Sequence, residues 1–244
     1  MRANEPGIES RPGTTLIVAE CFGDTQPTFQ GEGPSCGMPA LFIRLSRCNL
    51  TCDWCDTPYT WDWRRYDPRE EAIRQSADDL AAWALGHDVE LVVITGGEPL
   101  LQQHPLVPLV HRLLEAGKRV EFETNGTVVP KPPLLVDGVR FNVSPKLANS
   151  GVDEGKRLVP EALGVFAASG RASFKFVNRT VAELDEVGAI VNQHGLSPVY
   201  VMPEGTTAED LITTTRTLAD AVAARGWSLT PRLHVLAFGE VRGR

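Results

Sequence analysis

Alternation constrains this chain more than any other feature. Short runs rich in β-branched and aromatic residues recur between amphipathic stretches of ten or more residues, the pattern of successive β/α units. The runs are LIVAECF (16–22), ALFIRLS (40–46), ELVVITG (90–96), RVEFETN (119–125), VRFNVS (139–144), ASFKFV (172–177), PVYVM (198–202) and PRLHVLAF (231–238). Helices fit over 77–86, 105–116, 160–169, 181–194 and 207–225. Ser76 with Asp79, and Thr206 with Glu209, read as capping boxes, and Gly117, Gly170 and Gly195 read as stops. Parallel strands joined by right-handed crossovers form an open sheet or a barrel. About six strands in β/α units are too few for the eight of a closed barrel, so the expectation is an α/β fold, a partial (β/α) barrel of about six parallel strands.

At 244 residues one domain over 1–244 suffices, with residues 1–14 read as a flexible N-terminal extension. That start, MRANEPGIESRPGT, has neither the apolar core of a secretory signal nor the basic character of a transit peptide, and a cytoplasmic setting is expected. No apolar run reaches the length of about 20 residues that spans a bilayer. A net charge of −7 provides no basic footprint for nucleic acid, so a small molecule is the expected partner.

Five cysteines, an odd number, are in a reducing compartment free, catalytic or metal-bound rather than paired. Three of them, Cys48, Cys52 and Cys55 in CNLTCDWC, follow the strand at 40–46, at the end where α/β sheets place their chemistry. Their neighbours Asn49, Thr51, Asp53 and Asp56 are polar, unlike a core segment. A closed zinc site would need a fourth ligand from Cys21, Cys36 or a distant histidine. A 4Fe-4S cube held by three thiolates instead leaves one iron open to a molecule bearing an amine and a carboxylate. Further along, ITGGEPLLQ (94–102) breaks a strand with Gly96 and Gly97, where backbone can approach a ligand closely.

The CxxxCxxC spacing followed by Gly-Gly-Glu-Pro resembles the radical S-adenosylmethionine superfamily. With QGEGPSCGMPALFIRL, CDT, ETNGT, VSPK, KFV, VMPEG and PRLHV, the chain is similar, from about residue 20 to 238, to the 7-carboxy-7-deazaguanine synthase family. That resemblance implies a carbon–nitrogen lyase that converts 6-carboxy-5,6,7,8-tetrahydropterin to 7-carboxy-7-deazaguanine with release of ammonia, on the route to queuosine and other 7-deazapurines. It implies a 4Fe-4S cluster on Cys48, Cys52 and Cys55, S-adenosylmethionine, and Mg2+ on Thr57. It further implies substrate contacts from Gln30, Glu32, Arg44, Thr95 and Glu123. The S-adenosylmethionine contacts it implies are Asp56, Gly97, Glu98, Asn125, Ser144, Lys146 and His234. An external electron donor such as flavodoxin or ferredoxin and a homodimer also follow from it. Chemically, Arg44 offers a planar fork to a carboxylate, and Glu32 or Glu123 can accept from a pterin's amino and ring N–H groups.

His234 reads equally as a satisfied histidine of a terminal strand, and Trp54, Tyr59 and Trp61 as a shield for the cluster. Arg47 stands where the family has glycine, and the tail GEVRGR matches no function. The competing readings are a glycyl-radical activase, which uses the same cysteine motif on a protein, and a non-catalytic metal-binding module.

Overall fold

The computed structural model describes residues 14–244. The expected N-terminal extension lies outside them, Thr14 excepted. Ten strands form one sheet: β1 (Thr15–Phe22), β2 (Thr28–Phe29), β3 (Pro39–Leu45), β4 (Ile73–Ser76), β5 (Leu91–Gly96), β6 (Arg119–Thr124), β7 (Val139–Val143), β8 (Ala172–Asn178), β9 (Val199–Pro203) and β10 (Ser228–Leu229). The helices are α1 (Pro68–Glu71), α2 (Ala77–Leu85), α3 (Gln103–Glu115), α4 (Glu154–Arg157), α5 (Pro160–Ser169), α6 (Glu183–His194), α7 (Ala208–Ala224) and α8 (Leu233–Phe238). The strand order is β10-β9-β8-β7-β6-β5-β3-β1-β4, with β2 on β3. From β3 to β10 every pairing along that order is parallel, whereas β1, β2 and β4 join antiparallel. The parallel part is the partial barrel expected: six strands of five to seven residues and a two-residue β10.

Strand alternation sorts the two faces. Leu41, Ile43, Val92, Ile94, Val120, Phe122, Phe141, Phe174 and Phe176 point to one side, into a fully buried core. The helices complete that core with Leu80 of α2, Leu106, Leu109 and Leu113 of α3, Phe166 of α5 and Val187 of α6. The residues between them point to the inner side. Ala40, Leu91 and Val93 plug its base with Met38 and Phe42. Two residues further along the same strands the inner face turns polar, at Arg44 and Thr95, and it continues so through Glu123, Asn142 and Lys175. The strands therefore carry the fold on one face and a site on the other.

Three local expectations are corrected. PRLHVLAF is not a strand: Pro231 has no N–H for a ladder, the last sheet position goes to β10, and Leu233–Phe238 winds into α8 with the Leu233 N–H donating to Gly31 O at 2.8 Å. The cap of α7 is Thr207 with Asp210, one residue beyond Thr206 and Glu209: Asp210 N–H donates to Thr207 Oγ1 at 3.1 Å. The helix expected at 105 begins at Gln103, and its Pro108 is accommodated within the helix. The Ser76 and Asp79 cap stands as expected.

Phe141 lies at the centre of the aromatic core, with Phe122 stacked at 5.2 Å and Phe166 tilted at 5.3 Å. Phe141→Ala should lower the stability of the unloaded protein by about 3–5 kcal/mol, read by urea denaturation. A loss under about 1 kcal/mol would show that this layer is not the packed core.

Candidate active site

The cysteine loop and the end of β5 are held together through their backbones. Gly97 N–H donates to Leu45 O at 3.1 Å, and Glu98 N–H donates to Arg47 O at 2.9 Å. A Cβ on Gly97 would lie 2.2 Å from Arg47 O and 2.8 Å from Cys48 Cβ, and one on Gly96, at φ 143°, would lie 2.1 Å from Leu45 O. Only glycines permit this approach. Arg47 itself has φ 82°, among the described residues the one non-glycine with positive φ. The residue that launches the cysteine loop is thus an arginine held in a backbone conformation that glycine adopts without strain.

Cys48, Cys52 and Cys55 line one open cavity. Leu50 N–H points to Cys48 Sγ at 3.5 Å and Trp61 Nε1–H to Cys55 Sγ at 3.3 Å, contacts that suit sulfurs carrying negative charge. Burial pushes the Cys48 thiol up to about 12 and raises that of Cys52, so a metal binding there displaces protons. A four-iron cube takes one thiolate per iron, and three cysteines facing one cavity, two of them with N–H groups at their sulfurs, are a donor set that suits it. Trp54 and Trp61 line the cavity beside them. Tyr59 does not join that shield, since its hydroxyl donates to Glu20 at 2.7 Å.

Every sequence-predicted site residue except Glu98 lines this cavity. Glu98 is fully buried, and its carboxylate accepts from Leu100 N–H at 3.0 Å, Asn125 N–H at 2.7 Å and Thr124 Oγ1 at 2.9 Å. Its side chain thus orders the rim, and Asn125 depends on it. Asn125 Nδ2 also donates to Asn49 at 3.0 Å. Ser144 accepts from Lys146 Nζ at 2.9 Å, and that ammonium sits 5.2 Å from the centre of the Trp54 ring. Thr57 Oγ1 lies 3.8 Å from Cys55 Sγ.

Away from the cysteines the cavity wall is a buried ionic network. Lys175, 4% exposed, donates to Glu32 at 2.5 Å and to Glu123 at 2.8 Å. Glu123 also accepts from Gln30 at 2.9 Å and Asn142 at 2.8 Å. Arg232 bonds Asp56 at 2.5 Å and Gly205 O at 2.9 Å, with Glu32 at 3.4 Å. Burial alone would raise the Glu32 carboxyl, but the charges of Lys175 and Arg232 reverse that and hold it below its usual range. Burial raises the Glu123 carboxyl, against the pull of Lys175. His234, 3.9 Å from Glu32, reaches the cavity from α8 and is not a strand histidine. Burial lowers its imidazole below the usual value. Lys175 and Arg232 escaped the sequence reading, although a lysine between Phe174 and Phe176 in an apolar strand was a signal, because a charge there needs a partner.

Arg44 lines the cavity from β3. Its Nε donates to Glu20 at 2.6 Å and its guanidinium lies 5.3 Å from the Phe22 ring centre. Burial would raise the Glu20 carboxyl, yet Arg44 and the donors Tyr59 and Arg242 lower it.

The Radical SAM superfamily profile matches residues 42–218. The 7-carboxy-7-deazaguanine synthase of Pyrobaculum aerophilum is 36% identical over 220 residues, 89% of this chain and 94% of that protein. The protein of that name from Hyperthermus butylicus is 37% identical over 230 residues, 91% of this chain and 93% of its own. The chain belongs to the 7-carboxy-7-deazaguanine synthase family. The crystal structure of QueE from Escherichia coli superposes with a TM-score of 0.72 at 25% identity, covering 93% of this chain and all of that one. As a radical SAM lyase of this family, the chain uses a 4Fe-4S cluster and S-adenosylmethionine on a small-molecule substrate. Among the described residues no helix is long and apolar enough to cross a membrane.

Two measurements probe the site's construction. Arg47→Gly should stabilise the unloaded protein by about 1 kcal/mol and Arg47→Val should destabilise it, because left-handed backbone costs a side-chain-bearing residue about 1–2 kcal/mol. Equal stabilities in urea would contradict the strained turn. Glu20 has a depressed folded pKa, so its contribution is full above its ordinary 4.5 and is lost as pH falls through the folded value. The stability gap between the native chain and Glu20→Gln should therefore close in acid, and a pH-independent gap would contradict the pairing.

Proposed function

We propose that this chain converts 6-carboxy-5,6,7,8-tetrahydropterin to 7-carboxy-7-deazaguanine with loss of ammonia. The observation that carries this reading is one cavity lined both by the three cysteines and by a wall of Gln30, Glu32, Glu123 and Arg44. Cys48, Cys52 and Cys55 would hold the cluster, leaving one iron for S-adenosylmethionine. When bound, the pair supplies hydrogen-atom abstraction at a substrate carbon. Gly97, Asn125, Ser144, Lys146, Asp56 and His234 would seat the adenosyl cofactor, with Glu98 holding Asn125 in place. A Thr57 hydroxyl at the cavity wall suits Mg2+, which keeps waters and needs few protein oxygens.

The remaining residues read the substrate. Glu32 and Glu123 accept from the amino and ring N–H groups of the pterin, and Lys175 keeps both carboxylates oriented by bonding each. Gln30, fixed on Glu123, presents its amide to the same edge. Thr95 lies on the inner face next to Arg44, its partner in the β3–β5 register. Arg44, held by Glu20 through its Nε, offers its remaining guanidinium N–H groups to the substrate carboxylate. In the same proposal residues 1–244 act as one domain in the cytoplasm, as a homodimer served by a one-electron donor such as flavodoxin or ferredoxin.

Anaerobically reconstituted protein with reductant and S-adenosylmethionine should form the deazapurine acid and ammonia from the tetrahydropterin. Cys52→Ala should abolish this, and Glu123→Gln should lower kcat/KM about 10- to 100-fold, the worth of a hydrogen bond to a charged group. Formation of 5′-deoxyadenosine without deazapurine would refute the substrate assignment and favour a different radical enzyme.

A further inference from the structure

The segment that carries Arg232 is docked on the loop after β2. Gly33 N–H donates to Thr230 Oγ1 at 2.7 Å, and Leu233 N–H donates to Gly31 O at 2.8 Å. A Cβ on Gly31 would lie 1.9 Å from His234 Nδ1, so only a glycine lets the two segments approach this closely. Arg232 therefore starts from a frame fixed to the loop of Glu32. Its buried head reaches beyond that frame: Nη2 donates to Asp56 at 2.5 Å and Nη1 to Gly205 O at 2.9 Å, which leaves Nε facing Glu32 at 3.4 Å.

The two carboxylates that meet this guanidinium are held unequally. Glu32 is also bonded by Lys175 at 2.5 Å. Asp56 has no such second hold: its side chain is 47% exposed, and among the described residues Arg232 is its one hydrogen-bonded partner. Asp56 directly follows Cys55 in the chain, so this ion pair ties the end of the cysteine loop to the loop of Glu32. The N–H groups of a guanidinium share one rigid plane. Whatever fixes Asp56 therefore fixes that plane, and with it the N–H that faces Glu32.

We propose that Arg232 is a positioning residue that couples the two ends of the cavity, so that S-adenosylmethionine and the pterin each bind more tightly when the other is present. This rests on the reading of Asp56 as a contact of the adenosyl cofactor and of Glu32 as a contact of the pterin. The first ligand orders Asp56, the guanidinium and Glu32 together, and the second meets a site already ordered. Reciprocity requires the same factor in both directions.

The test uses the full-length protein with its cluster loaded and no reductant, so that the cofactor is not cleaved. Dissociation constants of S-adenosylmethionine are measured with and without saturating 6-carboxypterin, and those of 6-carboxypterin with and without S-adenosylmethionine. In the native chain each ligand should tighten the other about 5-fold or more. Arg232→Gln should bring that factor to about 1 while both ligands still bind. Arg232→Lys, which keeps the charge without the planar fork, should fall between the two. A merely structural role would weaken each ligand alone and leave the factor unchanged. The native factor in Arg232→Gln, or in Arg232→Lys should the first variant not fold, would overturn the proposal, as would a native chain without coupling. Turnover is scored separately. Coupling that is present in the native chain and lost in Arg232→Gln, without any deazapurine formed, would leave Arg232 supported and refute the reaction, whereas a native chain that binds no 6-carboxypterin would overturn both.

Discussion

A buried ammonium needs buried counter-charge, and Lys175 imposes that condition on the inner face of the barrel. It sits mid-strand in β8 between two core phenylalanines, and its partners come from elsewhere in the chain: Glu123 from β6 and Glu32 from the loop after β2. Glu32 also meets Arg232, which reaches Asp56 beside the third cysteine. One ionic chain thus links three parts of the fold to the cysteine loop. Replacing one member by a neutral group leaves the others as uncompensated charge. The network is therefore a specification of geometry as much as a source of stability.

The second constraint is steric. The pair Gly96 and Gly97 brings the end of β5 against the turn that launches the cysteines, so the two motifs share hydrogen bonds rather than merely neighbouring each other. Glu98, fully buried, spends its carboxylate on Leu100, Thr124 and Asn125. The rim thus links β5 to β6 before any ligand arrives. Arrangements of this kind pre-position donors and so lower the ordering cost of binding.

Periodicity made the architecture legible. Buried parallel strands read as continuous apolar runs and the long helices as amphipathic stretches, so all the long strands from β3 to β9 and the five longer helices lie where the sequence puts them. What failed was short or tertiary in origin. β2, β4 and β10 span two to four residues and owe their existence to the neighbours they pair with, which no local pattern encodes. The segment 231–238 has strand composition, but the sheet position was filled by β10, and it became a helix that carries His234 inward. The site divided similarly. Motif residues that line the cavity were legible because their spacing is chemical, whereas Arg232, Glu20 and the tail arginines gain meaning only through contacts with residues more than 20 positions away. Arg47 shows the same limit: its place before the first cysteine is visible in the sequence, and the positive φ that makes it costly is not.

The central claim is that one cavity holds the cysteine-bound cluster at one end and a pterin read by the Lys175-held carboxylates at the other. A crystal structure of the reconstituted protein with S-adenosylmethionine and 6-carboxypterin tests it most directly. The account predicts the pterin's amino edge on Glu32 and Glu123 with its carboxylate toward Arg44. A pterin bound outside the cavity, or inside it with that edge turned away from both carboxylates, would contradict it.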